Sequence, residues 1–243
     1  MTYCVALKLD RGLVFAADTR TNAGLDNIST FKKLHVWEKE GDRVFTLLSA
    51  GNLAVTQAVI SLLSEHIQSA GEGRPTLMTV ETMFQAARLI GSAIREVRAI
   101  DGESLGSNAE NFQVTFILGG QIKGEEPRLF QIYSAGNFIE VCEDTPFLQI
   151  GEHKYGKPIL DRVTRSDMRL GEAAKLVLLS FDSTLRSNLS VGMPIDLLLY
   201  NKDSFSADRQ LRIEKDNPYF QKLSLGWSDA LRDAFADMEE LDV

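Results

Sequence analysis

Thr2, Asp18 and Lys33 lie near the start of the chain and are residue types that could build a nucleophilic site. A threonine hydroxyl is a weak nucleophile that needs a general base, and a free α-amine on the same residue can supply it. The reference pKa of that amine, roughly 8, already lies near neutrality. A lysine ammonium close by would lower it further and polarise the hydroxyl, and an aspartate would keep the lysine charged and oriented. Backbone N–H groups over residues 48–51, notably those of Leu48 and Ser49, would bind the oxyanion formed when a peptide carbonyl is attacked. Each residue also has an ordinary reading. A small residue at position 2 permits removal of Met1, an aspartate at a strand end forms turns, and the Lys32–Lys33 pair reads as a solvated edge.

The chemistry therefore depends on elements that bring the three together. Residues 3–9 and 13–17 are short, apolar and partly β-branched, and DRG separates them, which predicts a hairpin. With Asp10 and Arg11 at its tip, cross-strand partners sum to about 21, so Asp18 falls opposite Tyr3, one step from Thr2. A polar loop is expected over 19–30. KKLHVW, the charged turn EKEGD and RVFTLLSA predict a second hairpin with its tip around Glu40. Its partners sum to about 80, which sets Lys33 opposite Leu47 or Leu48, beside an SAGN turn.

Downstream, Val55, Val59, Leu62, Leu63 and Ile67 recur at helical spacing, as do Val80, Met83, Phe84, Ala87, Ile90, Ile94 and Val97. Polar loops are expected at 69–75 and 101–111. Strands resume in FQVTFILGG, RLFQIYSAG, FIEVCE and FLQIG, then come KYGKPILDRV and a clear helix from Leu170 to Leu185. PIDLLLYNKD and RQLRIEK read as closing strands, and the run SDALRDAFADMEELDV as an amphipathic tail. Strands in blocks and helices in pairs argue for antiparallel sheets with helices outside. One domain over 1–243 is expected, with 206–243 as a C-terminal extension.

Of 243 residues 44% are apolar and 25% charged, enough to bury a sizeable core. The net charge of −8 argues against nucleic acid. No apolar run nears the roughly 20 residues of a membrane span, and Lys8, Asp10 and Arg11 interrupt any secretory signal. Cys4 and Cys142 lack metal or redox spacing, and Cys4 reads as a small core residue. His35, His66 and His153 share no ligand pattern, so neither metal nor cofactor is expected. The expected setting is the cytoplasm.

The residues resemble those of a known family. VALKLDRGLVFAADTR is similar to the opening of proteasome β-type subunits, in which an N-terminal threonine precedes a strand, a turn and an A-A-D-x-R motif that Arg20 closes here. FKKLHVW resembles the family's K-K-L/I strand, with Lys33 at the catalytic position. FILGGQIKGEEPRLFQIYSAGNFIEV and SNLSVGMPIDLLLYNKD resemble its central strands and its serine/glycine loop. GEHKYGKP and FDSTLRSNLSVG most resemble the bacterial ancestral β-subunit (Anbu) group.

The resemblance implies an α+β N-terminal-nucleophile (Ntn) hydrolase fold, a four-layer αββα sandwich of two antiparallel sheets with outer helices. It implies a threonine peptidase acting on peptide or protein substrates without a cofactor, with Thr2 exposed by removal of Met1. It also implies self-assembly into a homo-oligomeric ring or an open helical array. Several positions depart from the family pattern. Leu48 stands at the first glycine of the family's G-x-x-G turn, and Gly51 at the last. Glu152 replaces the serine that supports the threonine amine, as an ammonium holder or as a solvated loop charge. Ser187 replaces a supporting aspartate, whereas Ser190 is retained. Two rival readings stay open: a non-catalytic ring subunit, and a non-proteolytic amidase of the same fold.

Overall fold

The structure, a computed structural model, describes residues 2–22, 28–69, 73–102, 112–207 and 209–242. Strands β1 (Tyr3–Leu9) and β2 (Gly12–Asp18) form the first hairpin, pairing Cys4 with Ala17 and Leu9 with Gly12 around Asp10 and Arg11. The register is the one the sequence predicts. Short strands β3 (Arg20–Asn22) and β4 (Ile28–Thr30) pair with each other. The segment expected to be a polar loop thus carries a small hairpin, formed by residues whose polar pattern conceals strand character.

The second hairpin joins β5 (Leu34–Lys39) to β6 (Arg43–Gly51). It pairs Lys39 with Arg43 and Leu34 with Leu48, which moves the tip from Glu40 to Gly41 and sets Lys33 opposite Ser49. The physical reason is Gly41, whose φ of +71° suits a residue without a Cβ. The expected SAGN turn is absent too. Strand β6 runs on through Gly51, which pairs with Val114, and Asn52 caps the next helix.

Helices α1 (Leu53–Gln68) and α2 (Met83–Asp101) follow. Val80 precedes α2, because Thr82 is its N-cap and accepts from Gln85 N–H. Of the two polar loops expected at 69–75 and 101–111, residues 70–72 and 103–111 lie outside the described residues. Strands β7 (Val114–Ile122), β8 (Arg128–Tyr133), β9 (Phe138–Glu140) and β10 (Phe147–Gly151) come next, then α3 (Lys157–Val163) and α4 (Leu170–Ser187). Strands β11 (Ile195–Asn201) and β12 (Gln210–Ile213) lead to α5 (Pro218–Ala236). That last helix starts well before the amphipathic run, because Asn217 caps it and Pro218 occupies its first turn.

Two antiparallel five-stranded sheets result, in the orders β10-β1-β2-β11-β12 and β5-β6-β7-β8-β9. Alternation along each strand assigns side chains to layers. Cys4, Ala6, Leu13 and Phe15 meet Leu48, Ala50, Ile117 and Leu129 between the sheets. On the outer face of the first sheet, Val5, Leu7, Val14 and Ala16 pack on Val177 and Phe181 of α4. Phe45, Leu47, Phe116 and Leu118 of the second sheet pack on Val59 of α1 and on Ile90 and Ile94 of α2. Both faces of the central strands are buried, which explains their continuous apolar runs. The fold is α+β, an αββα sandwich of the Ntn type.

His35 on β5 is half-buried, and its Nε2 is buried without a hydrogen-bond partner among the described residues. Burial, with Lys32 adding to it, pushes its pKa down to about 4. The folded state therefore keeps the ring neutral where the unfolded chain would protonate it. Stability should be full above pH 6.5 and fall as the pH drops from there to about 4, by up to about 3 kcal/mol. Urea titrations across that range check it, with His35→Phe flattening the profile.

Candidate active site

Asp18 ends β2 and is completely buried. The hairpin returns it beside the chain start, where its Oδ1 accepts from the Tyr3 N–H at 3.0 Å. The same oxygen accepts from Lys33 Nζ at 2.7 Å, and Oδ2 accepts from the Gly192 N–H at 3.3 Å. Lys33 Nζ also donates to the Arg20 carbonyl at 2.6 Å, and Lys33 is only 4% exposed. Burial pushes the Asp18 carboxyl above its ordinary value, and the Lys33 ammonium and the two backbone donors oppose that push. The pair survives burial because both ions find replacements for the water they lost.

Thr2 lies just before β1. Its carbonyl accepts from the Glu152 N–H at 2.6 Å. Gly151, at φ +80°, passes so close that a Cβ there would stand 1.9 Å from Thr2 O. Thr2 and Lys33 line one cavity of about 560 Å³ together with Thr21, Ser49, Gly51 and Gly151. Two hairpins, one from each sheet, thus bring polar groups to the same end of the sandwich and meet at one concave site.

The expected backbone donors need correction. Ser49 N–H donates to the Lys33 carbonyl at 3.0 Å, so it is already used. N–H groups alternate sides along an antiparallel strand, so the Leu48 N–H points to β7, and its side chain is buried between the sheets. The next N–H on the Ser49 side belongs to Gly51, beyond the end of β5 and at the cavity wall. Its φ of +113° is one that a residue with a side chain rarely adopts.

Arg20 holds the surroundings together. Its carbonyl receives Lys33, and its Nη1 donates to the Leu189 carbonyl at 2.9 Å. A Cβ on Gly192 would stand 2.1 Å from Arg20 Nε. Glu152 is half-buried at the end of β10, and its Oε2 accepts from Asn188 Nδ2 at 3.0 Å. Ser187 is exposed at the end of α4, and Ser190 is half-buried with its N–H bonded to Asn188 Oδ1 at 2.9 Å. Neither serine lines the cavity. Sequence reasoning missed Gly192, Asn188 and Thr21. The S-V-G run after Asn188 hinted at the first, and nothing in the sequence pointed to the other two.

A sandwich of two antiparallel sheets between helical layers, with a lysine–aspartate pair beside the residue that starts the first strand, is the architecture of Ntn hydrolases. The family model described as "Proteasome subunit" matches residues 2–198, and the chain belongs to that family. A "Proteasome subunit beta 2" of Nitrosopumilus maritimus (strain SCM1) is 24% identical over 210 residues, covering 84% of this chain and 88% of the relative. The structural neighbours are Anbu (ancestral β-subunit) proteins. An Anbu (Gly-1) mutant from Hyphomicrobium sp. strain MC1 is 65% identical at a TM-score of 0.93, with 100% of both chains covered. Anbu from Yersinia bercovieri is 50% identical at 0.93, again over 100% of both chains. The Anbu complex from Pseudomonas aeruginosa, solved as a helical assembly, is 46% identical at 0.94 and covers 99% of this chain and 98% of that one.

Removing the Asp18 carboxylate leaves the Lys33 charge buried without its counter-ion. Asp18→Ala should cost about 3–5 kcal/mol, read as a fall in the urea midpoint at pH 7. An unchanged midpoint would show that water reaches Lys33.

Proposed function

We propose that this chain is a threonine-type hydrolase of amide bonds, active once removal of Met1 frees the Thr2 amine. The observation that carries this reading is Lys33, fixed by Asp18 and the Arg20 carbonyl, on the wall of the cavity that Thr2 also lines. Thr2 Oγ attacks the carbonyl carbon, and its proton passes to the α-amine. The Lys33 ammonium favours the neutral amine and the developing alkoxide. The Gly51 N–H receives the oxyanion. The amine then passes the proton to the leaving nitrogen, and water cleaves the acyl ester by the same route in reverse order.

Peptides or proteins are the proposed substrates, and no cofactor is called for. The proposed working form is a self-assembled homo-oligomeric particle in the cytoplasm. Support for the assembly comes from the Pseudomonas aeruginosa relative, described as a helical assembly. Membership of the proteasome subunit family supports the cytoplasmic setting.

Intact mass after exposure to a β-lactone or epoxyketone tests the reading. The Met1-free protein should gain one label, and Thr2→Ala should gain none. Lys33→Ala should label about 10²–10⁴-fold more slowly. A Met1-free protein that takes no label would make it a structural ring subunit. Labelling with turnover of small amides but not of peptides would make it a non-proteolytic amidase.

A further inference from the structure

The segment after α4 reaches the site from three directions. Gly192 N–H bonds Asp18, the Leu189 carbonyl receives Arg20, and the Asn188 side chain bonds Glu152. The first two contacts reach the Asp18–Lys33 pair. The third reaches the other side of the site, where Thr2 is.

Glu152 continues the β1–β10 register, which pairs Tyr3 with Gly151, so it stands opposite Thr2. The Glu152 N–H to Thr2 carbonyl bond at 2.6 Å fixes that alignment. Its carboxylate is held on both oxygens, at Oε2 by Asn188 Nδ2 and at Oε1 by the Lys154 N–H at 3.3 Å. Asn188 is itself only 9% exposed, and its backbone N–H and both ends of its side-chain amide are bonded. Its N–H donates to the Thr184 carbonyl at 2.9 Å and its Oδ1 accepts from the Ser190 N–H at 2.9 Å. Flipping the amide would turn its oxygen toward the carboxylate and its NH₂ toward the Ser190 N–H, so one orientation alone satisfies both neighbours.

We propose that Asn188 is a positioning residue that holds the Glu152 carboxylate beside Thr2, so that this carboxylate sets the protonation of the threonine amine once that amine is free. The inference rests on the hydrolase reading above and identifies what tunes its base. Among the described residues, the titratable groups around that end of β1 are Lys33 and Asp18 on one side and Glu152, His153 and Lys154 on the other. Lys33 disfavours the ammonium form of the amine and Glu152 favours it. The working pH is the outcome of that opposition, and Asn188 decides how closely the carboxylate takes part.

The test is a ¹³C NMR pH titration of the reductively ¹³C-methylated N-terminal amine, on protein whose intact mass shows Met1 removed. Glu152→Gln should lower the amine midpoint by about one unit. Asn188→Ala should move it in the same direction, and the double variant no further than Glu152→Gln alone. The pH midpoint of β-lactone labelling should move in parallel. If the alanine variant does not fold, Asn188→Ser, which keeps a shorter donor, supplies the comparison and should give a smaller shift of the same sign. A Met1-free protein with one amine midpoint in all variants would overturn this inference and leave the hydrolase reading standing. A mature protein that keeps Met1, or that takes no label when free of it, would overturn both.

Discussion

A lysine ammonium and an aspartate carboxylate 2.7 Å apart, both nearly inaccessible to water, must regain inside the protein the hydrogen bonds they gave up on leaving solvent. Asp18 regains them from Lys33 and from the N–H groups of Tyr3 and Gly192. Lys33 regains them from Asp18 and the Arg20 carbonyl. Those partners come from the first strand, the small β3–β4 hairpin and the loop before β11. The pair therefore adds a buried charged tie between segments that the β1–β2 and β2–β11 ladders already bring together. A local shift in any of them would leave a buried charge underbonded.

The same economy of donors shapes the cavity wall. Along β6, Ser49 donates to Lys33 and Leu48 to β7, so the ladder uses the N–H groups that the family motif brings first to mind. Gly51 lies three residues past Leu48, the partner of the first residue of β5, where the alternation leaves its N–H facing the cavity side. A strand outrunning its neighbour by a few residues is how a regular sheet presents a backbone donor to a ligand without breaking its own pairing.

Beyond the ion pair, a second pair of bonded side chains stands at the Thr2 end of the site. Glu152 accepts from the Asn188 side chain, and Ser187 is exposed at the end of α4. The αββα layers tolerate this because those positions lie at strand and helix ends, outside the three apolar cores. Fold and site chemistry can thus change separately.

Much was legible in the sequence because it was local. The first hairpin followed from two apolar runs and a two-residue turn, and with it the return of Asp18 to the chain start. Strand and helix order, the buried central strands and the likeness at Thr2, Asp18 and Lys33 were equally readable. The second hairpin slipped because glycine and charge signals compete within EKEGD, and only Gly41 accepts the required φ. Arg20 was marked by the A-A-D-x-R likeness and Gly192 hinted at by the S-V-G run, but the partners that these two and Asn188 find in the fold were beyond any such reading. The bonds that tie them to the ion pair and to Glu152 span from 13 residues, between Arg20 and Lys33, to 174, between Asp18 and Gly192. Periodicity and turn chemistry act over a few residues, so by itself the sequence determined the elements and the identity of the ion pair. Which donors are spent, which face the cavity, and what stands opposite Thr2 were decided by the packing of the two sheets.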